Sequence, residues 1–490
     1  MLRIALFIFA LFFSLSFGLE NARCGTSHFA ENLKNPKKRA LAKAGCIPEN
    51  LYGDVEYRKT ANFIIYYTKT KSHAIKSNEY IDSLASYLEQ AYNLHKNSLG
   101  MKNLLGTRKT YHYRKNVPNG LYPIEVIDTG LLRGEEGQYA QTFGLTFPPD
   151  ENKSKETEVI IENDFLYGAD CSGNISKQPF KSSSTGKNYS IEWELILKAT
   201  IFHELYHAFQ SSYFNWIKYN TFWMEASATG VEEIGAPNAN DYINYLSYNF
   251  KNPGKSMESL EHMEEYGWAV LYLFLYSQID SRFDSAIWNY FSKYPKNNFA
   301  MQLARLVDSL QKNHDFDKNA EDLFHEYAKQ VFYSGSRAKF SPYQPFWNDM
   351  KEWPIWKVNT KIPMLLQSGT IDFIRTVNEP NVASVARKSY MQDGDYTVWV
   401  LSRLLEREYV EPEVPVKEIV AYPNPWNPKT QAIHFKNLPE KSKGIEIRSE
   451  NGAFIARVDS LWNPDKKPAP GILYYRTLPY GKNKVLIVQY

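Results

Sequence analysis

The chain has 490 residues, of which 43% are apolar and 23% charged, and its formal net charge at pH 7 is +3. This length exceeds what one hydrophobic core normally serves, so we expect two or three domains. The basic residues are dispersed and no nucleic-acid-binding module is recognisable, so charge provides no argument for a polyanionic partner.

Residues 1–18 have the features of a signal peptide. A short basic region that includes Arg3 precedes an apolar run from 4 to 13, and small residues near Gly18 suit cleavage. We therefore expect export to the cell surface or the medium. The run is short for a bilayer and no later segment approaches about twenty apolar residues, so we expect no transmembrane helix.

Export would permit a disulfide among the three cysteines. Cys24 with Cys46 is the preferred pair, although Cys171 could pair with either of them instead. Arg23 stands where a lipoprotein signal needs a small residue, which argues against a lipid anchor on Cys24. Residues 19–60 carry few periodic apolar positions and are interpreted as an N-terminal extension.

The next part of the chain predicts a sheet and one helix. Apolar alternation indicates strands at 62–67, 122–127, 140–147 and 157–161, and helical spacing covers 80–97. An extended peptide commonly pairs with an edge strand of a sheet. Either 140–147 or 157–161 could be that strand, and the sequence does not select between them.

A helix predicted over 190–211 carries the most informative motif. Ser190 is a plausible N-cap, and Glu192 and Glu194 are suited to the first turn. His203 and His207 lie four residues apart on one helix face, a spacing that can hold one Zn²⁺ ion through ring nitrogens.

Two glutamates complete the predicted site. Glu204 is placed to accept a proton from a water molecule whose pKa zinc lowers from near 16 to roughly 7. Glu225 is the leading candidate for the third ligand, with Glu232 as the alternative.

Beyond Glu225 the chain is predicted to be mainly helical and then rich in strands. Helical spacing occurs at 267–280, 283–294, 300–311 and 320–331. A small β-rich region is predicted over 336–410, with strands at 370–376 and 396–401, and alternating prolines indicate an extended linker at 411–417. Six short alternating runs within 418–490 predict a β-sandwich, so the fold class is α+β. The catalytic domain is assigned to 61–335.

The segments HELYHAFQ at 203–210 and WMEASA at 223–228 resemble the gluzincin class of zinc metallopeptidases. More narrowly, they are similar to secreted metalloproteases of myxobacteria and related bacteria, whose HExxHxxQ helix precedes a WxExxA segment and an acidic pair. The resemblance spans 20 to about 335, including CGT at 24–26 and ENDF at 162–165. It implies a zincin-like domain in which His203, His207 and Glu225 bind zinc and Glu204 is the base.

The sequence departs from the gluzincin pattern at one position. An acid often follows the ligand glutamate by one helical turn, where this chain has Thr229. Glu232, two turns past Glu225, could point at the site instead, while Glu233 is expected to be a solvated surface charge. Tyr266, at the start of a predicted helix, is the candidate donor to the developing oxyanion, with His262 as a weaker alternative.

The last module has a resemblance of its own. VAYPNPWNP at 420–428, ENG at 450–452 and GILYY at 471–475 are similar to C-terminal sorting domains of the type IX secretion pathway. The resemblance implies an immunoglobulin-like sandwich that engages the secretion machinery. An accessory sandwich that stays with the enzyme is the alternative.

These observations predict a secreted zinc-dependent metallopeptidase that hydrolyses bonds of a peptide or protein substrate. The alternative is a surface binding or adhesion protein that uses a metallopeptidase scaffold without protease activity. The aromatic content of 15% fits an adhesive surface, but it fits buried tyrosines equally well.

Overall fold

The protein is described by a computed structural model. It covers residues 53–131, 142–147, 155–167, 177–179, 188–214, 221–259, 263–313, 315–406, 419–438, 442–451, 453–478 and 484–489. The predicted signal peptide, the three cysteines, the 411–417 linker and His262 lie outside the described residues. The fold is mixed α+β, as the sequence predicts, and the chain forms two compact units.

The first unit extends to Phe299 and continues over Tyr327–Arg403. It opens with a sheet of five described strands in the order β1-β2-β3-β5-β4. The strands are β1 (Val55–Lys59), β2 (Phe63–Thr68), β3 (Tyr122–Ile127), β4 (Gly144–Phe147) and β5 (Glu158–Glu162), and a two-residue pair follows, β6 (Leu166–Tyr167) with β7 (Gln178–Pro179). The four strands predicted from alternation are confirmed.

Strand directions explain the sequence pattern of this sheet. β2, β3 and β5 run parallel and are buried along their whole length, so their apolar runs are nearly continuous. β4 pairs antiparallel with β5 and is an edge strand of the described sheet, whereas β5 is internal. Of the two segments considered as the edge strand, β4 is therefore the one at an edge of the described sheet.

Two helices pack together beside this sheet. Helix α1 (Asn78–Tyr92) begins at Ser77, whose Oγ accepts the backbone N–H of Tyr80 at 3.2 Å, and a π-helical turn follows it. The motif helix, α2 (Trp193–Ser211), is buried over most of its length. Its predicted N-cap was wrong: the helix begins three residues after Ser190, whose hydroxyl hydrogen-bonds to Asn188 Oδ1 at 2.8 Å instead.

Six described helices follow α2. They are α3 (Thr221–Gly235), α4 (Ile243–Phe250), α5 (Ala269–Gln278), α6 (Phe283–Lys293), α7 (Phe299–Lys312) and α8 (Ala320–Phe332). The helices predicted at 267–280, 283–294, 300–311 and 320–331 are confirmed as α5 to α8, with end shifts of a few residues. Helices α2 and α3 approach closely at Gly235, where a Cβ atom would lie 2.0 Å from Phe202 Cδ1.

A small antiparallel sheet completes the first unit. Its described strands are β8 (Thr370–Arg375), β9 (Arg387–Asp393) and β10 (Tyr396–Arg403), in the order β8-β10-β9. The strands predicted at 370–376 and 396–401 are confirmed as β8 and β10. β9 was not predicted, because its polar residues outnumber its apolar ones.

The second unit comprises Ala300–Glu326 and the chain from Leu404 onward. Its strands form two sheets, β11-β12-β15 and β14-β13-β16-β17, that share one apolar core. The strands are β11 (Val420–Tyr422), β12 (Ile433–Lys436), β13 (Ile445–Ser449), β14 (Phe454–Val458), β15 (Leu461–Trp462), β16 (Gly471–Thr477) and β17 (Lys484–Val488). All six predicted runs form strands, and β15 is additional. Among the described residues, no helix has the length and apolarity to cross a membrane.

Candidate metal centre

Three side chains from two helices converge at one point in the first unit. Helix α2 supplies His203 and His207, whose Nε2 atoms lie 2.9 Å apart, and α3 supplies Glu225. Glu225 Oε2 lies 3.2 Å from His203 Nε2 and 3.4 Å from His207 Nε2. All three residues are buried, and one ligand atom from each lies within 4.8 Å of the others.

The outer nitrogen of each ring has a partner that determines its tautomer. His203 Nδ1 lies 2.5 Å from Glu232 Oε1, and His207 Nδ1 lies 2.8 Å from Gln210 Oε1. Both oxygens accept, so both Nδ1 atoms carry a hydrogen, and each ring in its neutral form presents an Nε2 lone pair. Gln210 is held in this orientation because its Nε2 donates to Met224 O at 3.1 Å and to Ser227 Oγ at 2.9 Å.

The inner face of the site is therefore made of electron-pair donors. Two Nε2 lone pairs face the Glu225 carboxylate, and both of its oxygens are buried without a hydrogen-bond partner among the described residues. Lone pairs that converge in a buried place repel unless a cation lies among them. Two imidazole nitrogens and one carboxylate are a ligand set typical of catalytic zinc, so the residues fit this metal.

The charge state of Glu225 agrees with a ligand role. Burial by itself raises the pKa of Glu225, whereas the rings of His207 and His203, when they are protonated, lower it to well below the usual range. A metal cation bound by the neutral rings would favour the ionised carboxylate in the same way.

Glu204, the predicted base, is also buried and is supported by the edge strand β4. Thr146 Oγ1 lies 2.8 Å from Glu204 Oε2 and 2.7 Å from the Glu204 backbone oxygen. Gly144 permits this approach, because a Cβ atom there would lie 2.5 Å from Glu204 Cγ. The sequence analysis did not identify Thr146 or Gly144, although both lie in a strand that it considered for substrate binding.

The two acids that follow Glu225, Glu232 and Glu233, have different partners. Glu232 faces His203 Nδ1 on the outer side of the ring, whereas Glu225 lies on the Nε2 side with the other candidate ligands. Thr229, at the expected acid position, is buried.

The prediction that Glu233 is a solvated surface charge was wrong. The residue is 3% exposed, and its Oε1 accepts the indole N–H of Trp347 at 3.3 Å. Burial, together with the nearby Asp349, raises the pKa of Glu233 to about 9, so its carboxyl group is neutral at pH 7. Sequence could not show this, because Trp347 is more than a hundred residues away.

Tyr266 lies beside the candidate ligands. It is in a short 3₁₀ turn before α5, and its ring is nearly parallel to that of His203, with centroids 6.1 Å apart. Gly267 allows close approach of a neighbouring helix, since a Cβ atom there would lie 2.0 Å from Asn249 Oδ1. A small cavity is lined by Phe143, Ile196, Ala199, Thr200, His203, Glu204, Glu232, Asp241, Tyr245 and Tyr266. The sequence-predicted base, one ligand and Tyr266 thus face the same space.

A second group of possible metal ligands lies elsewhere in the first unit. Its carboxylates already accept hydrogen bonds from backbone N–H groups. His112, Glu125 and Glu158 are close enough to share an ion. However, Glu125 accepts the backbone N–H groups of His112 at 3.0 Å and Tyr113 at 2.7 Å, and Glu158 accepts that of Tyr111 at 3.0 Å. These contacts attach one loop to β3 and β5, which is a structural role.

Comparisons of this chain with protein-family models, curated proteins and solved structures gave no match.

Proposed function

We propose that this protein is a secreted zinc-dependent metallopeptidase with a zincin-like catalytic domain. The observation that carries the proposal is the convergence of His203 Nε2, His207 Nε2 and the Glu225 carboxylate, with both outer ring nitrogens already donating elsewhere. Glu204 is the next residue after His203, so a buried carboxylate accompanies the ligand set. Bound zinc would supply a Lewis acid and lower the pKa of a water molecule to about 7.

The residues of the chain then have distinct tasks. Glu204 accepts the proton of the attacking water and delivers it to the departing amine, and Thr146 keeps its carboxylate in place. Glu232 and Gln210 hold the two imidazole rings in the tautomer that presents Nε2. Tyr266 is the proposed donor to the substrate carbonyl oxygen as negative charge develops on it.

An extended peptide is the substrate form that suits this arrangement. β4 is an edge strand of the described sheet, and the same strand contacts Glu204 through Thr146. A peptide that adds to this edge by main-chain hydrogen bonds would bring its backbone next to the base.

The decisive test compares the purified wild-type protein with Glu204→Gln. We expect the variant to retain one equivalent of zinc and to cleave a mixed peptide library about 10² to 10⁴ times more slowly, the usual contribution of a general base. Glu194→Gln, an exposed acid on the same helix, is the matched control and should cleave normally. A zinc-loaded wild-type protein that cleaves no peptide would favour the adhesion alternative.

For the C-terminal module we propose an immunoglobulin-like sandwich that serves secretion. The support is the two described sheets around one core together with the sorting-domain resemblance of 420–428. Deletion of 418–490 should leave the protein inside the cell envelope of a producing host. Normal export of the truncated protein would contradict the assignment.

A further inference from the structure

A buried carboxylate connects the histidine helix to the glutamate helix from behind the metal centre. Asp284, in the first turn of α6, is 1% exposed. Its Oδ2 accepts the hydroxyl of Tyr206 in a very short hydrogen bond, and its Oδ1 accepts the indole N–H of Trp223 at 2.6 Å. A third donor, Trp288 Nε1, lies 2.9 Å from Oδ2 and belongs to α6 itself.

The two donors from other helices, Tyr206 and Trp223, are close in sequence to candidate metal ligands. Tyr206 immediately precedes His207, and Trp223 stands two residues before Glu225. Neighbours at these spacings point to different sides of a helix, so each ligand faces the metal site while its companion faces Asp284. One carboxylate therefore connects the backbone that carries His207 to the backbone that carries Glu225.

The chemistry of the donors makes this connection specific. Both indole N–H groups can only donate, and an ionised carboxylate accepts from both and from the phenol at once. A buried anion without a cationic partner is costly, and burial accordingly raises the pKa of Asp284 to about 7. A position near the N-terminus of α6 offsets part of that cost.

We infer that Asp284 is a positioning residue that sets the distance between the two histidine ligands and Glu225. This inference rests on the proposed function, because it assumes that the three residues bind zinc. Asp284 does not touch the metal; it acts through Tyr206 and Trp223.

Zinc affinity of the full-length protein, measured by competition with a chromophoric chelator, tests this role. Asp284→Asn and Tyr206→Phe should each raise the zinc dissociation constant about 10- to 100-fold, the usual effect of removing support from a metal ligand. Both should also alter the visible absorption spectrum of the cobalt-substituted protein, which reports ligand geometry.

Two controls separate positioning from general destabilisation. Trp288→Phe removes a hydrogen-bond donor to the same carboxylate. This donor lies on α6, as Asp284 does, and its bond connects no other helix, so the change should leave zinc affinity unchanged. Asp372→Asn alters another buried aspartate, hydrogen-bonded to Asn359 at 2.9 Å, and should lower stability without changing the cobalt spectrum.

Each outcome is decisive. Unchanged zinc affinity in Asp284→Asn or Tyr206→Phe would overturn the inference, and so would a loss in Trp288→Phe equal to that in Tyr206→Phe. If Asp284→Asn does not fold, Tyr206→Phe decides alone. A wild-type protein that binds no zinc would overturn the proposed function and this inference together, whereas zinc binding without peptide cleavage would overturn the peptidase activity alone.

Discussion

Glu232 Oε1 lies 2.5 Å from His203 Nδ1, so an acid two helical turns beyond Glu225 orients a candidate ligand. The contact joins α3 to α2 on the outer side of the imidazole ring. The resemblance to gluzincins predicts an acid one helical turn after Glu225, where this chain has Thr229.

Replacement of Glu232 should therefore weaken zinc binding without abolishing it. We expect Glu232→Gln to raise the zinc dissociation constant about 10- to 100-fold, because a neutral amide supports the imidazole less well than a carboxylate. Glu225→Ala should cause a larger loss, since it removes a ligand. Glu233→Gln is the control, because its amide oxygen can still accept from Trp347. If Glu232→Ala impairs zinc binding more than Glu225→Ala, the ligand assignment is wrong.

A methyl group at Gly144 should impair turnover while zinc still binds. The Cβ atom of Gly144→Ala would lie 2.5 Å from Glu204 Cγ and 2.9 Å from Thr200 Cγ2, so the base must move. A displacement near 1 Å at a catalytic group can cost about 10²-fold in rate. Steady-state kinetics beside zinc analysis will show whether kcat falls at constant metal content. Full activity in Gly144→Ala would exclude the packing of β4 against the base.

Glu233 should make the folded protein less stable as pH rises. Its pKa is 4.5 in a solvated chain and about 9 when buried, so between these values the folded protein keeps a proton that the unfolded chain releases. Glutamine cannot ionise and avoids this cost. The melting temperature of Glu233→Gln should therefore rise relative to that of the wild-type protein from pH 5 to pH 8, so that the margin between them widens in favour of the variant. A constant or narrowing margin would contradict the buried, neutral state.

The core of the second unit provides a prediction about stability alone. Ile447 is fully buried between the two C-terminal sheets, and Ile447→Ala should cost about 2 to 5 kcal/mol of unfolding free energy for that unit. Denaturant titration followed by far-ultraviolet circular dichroism can measure the change. Zinc affinity should stay at the wild-type value, and a parallel loss of zinc would show that the metal centre depends on this core.

The parts of the site that the sequence predicted are those with fixed local spacing. Helical periodicity places His203 and His207 on one face and puts Glu204 beside them, so no tertiary information was needed. Thr146, Asp284 and the partner of Glu233 could not be predicted in the same way. Each depends on which distant segment packs against the site, and an isolated threonine or aspartate carries no signal of that contact.

The fold shows the same division. Strands buried on both faces, such as β2 and β3, were found because their apolar runs are long. β9 was missed because it presents arginine, lysine and glutamine, and only its pairing with β10 makes it a strand. The start of α2 was misplaced because Ser190 bonds locally to Asn188, as serines outside helices commonly do.

The adjacent residues Glu232 and Glu233 fix the rotation of α3 about its own axis. Successive residues on a helix differ in direction by about 100°. Glu232 accordingly contacts His203, and Glu233 contacts Trp347 on a different side of the helix. A rotation of α3 about its axis would displace both side chains from these partners, so the two contacts together resist it. Glu225 lies two turns before Glu232 on the same side of α3, so a buried neutral acid outside the candidate ligand set, Glu233, helps to hold the direction of Glu225.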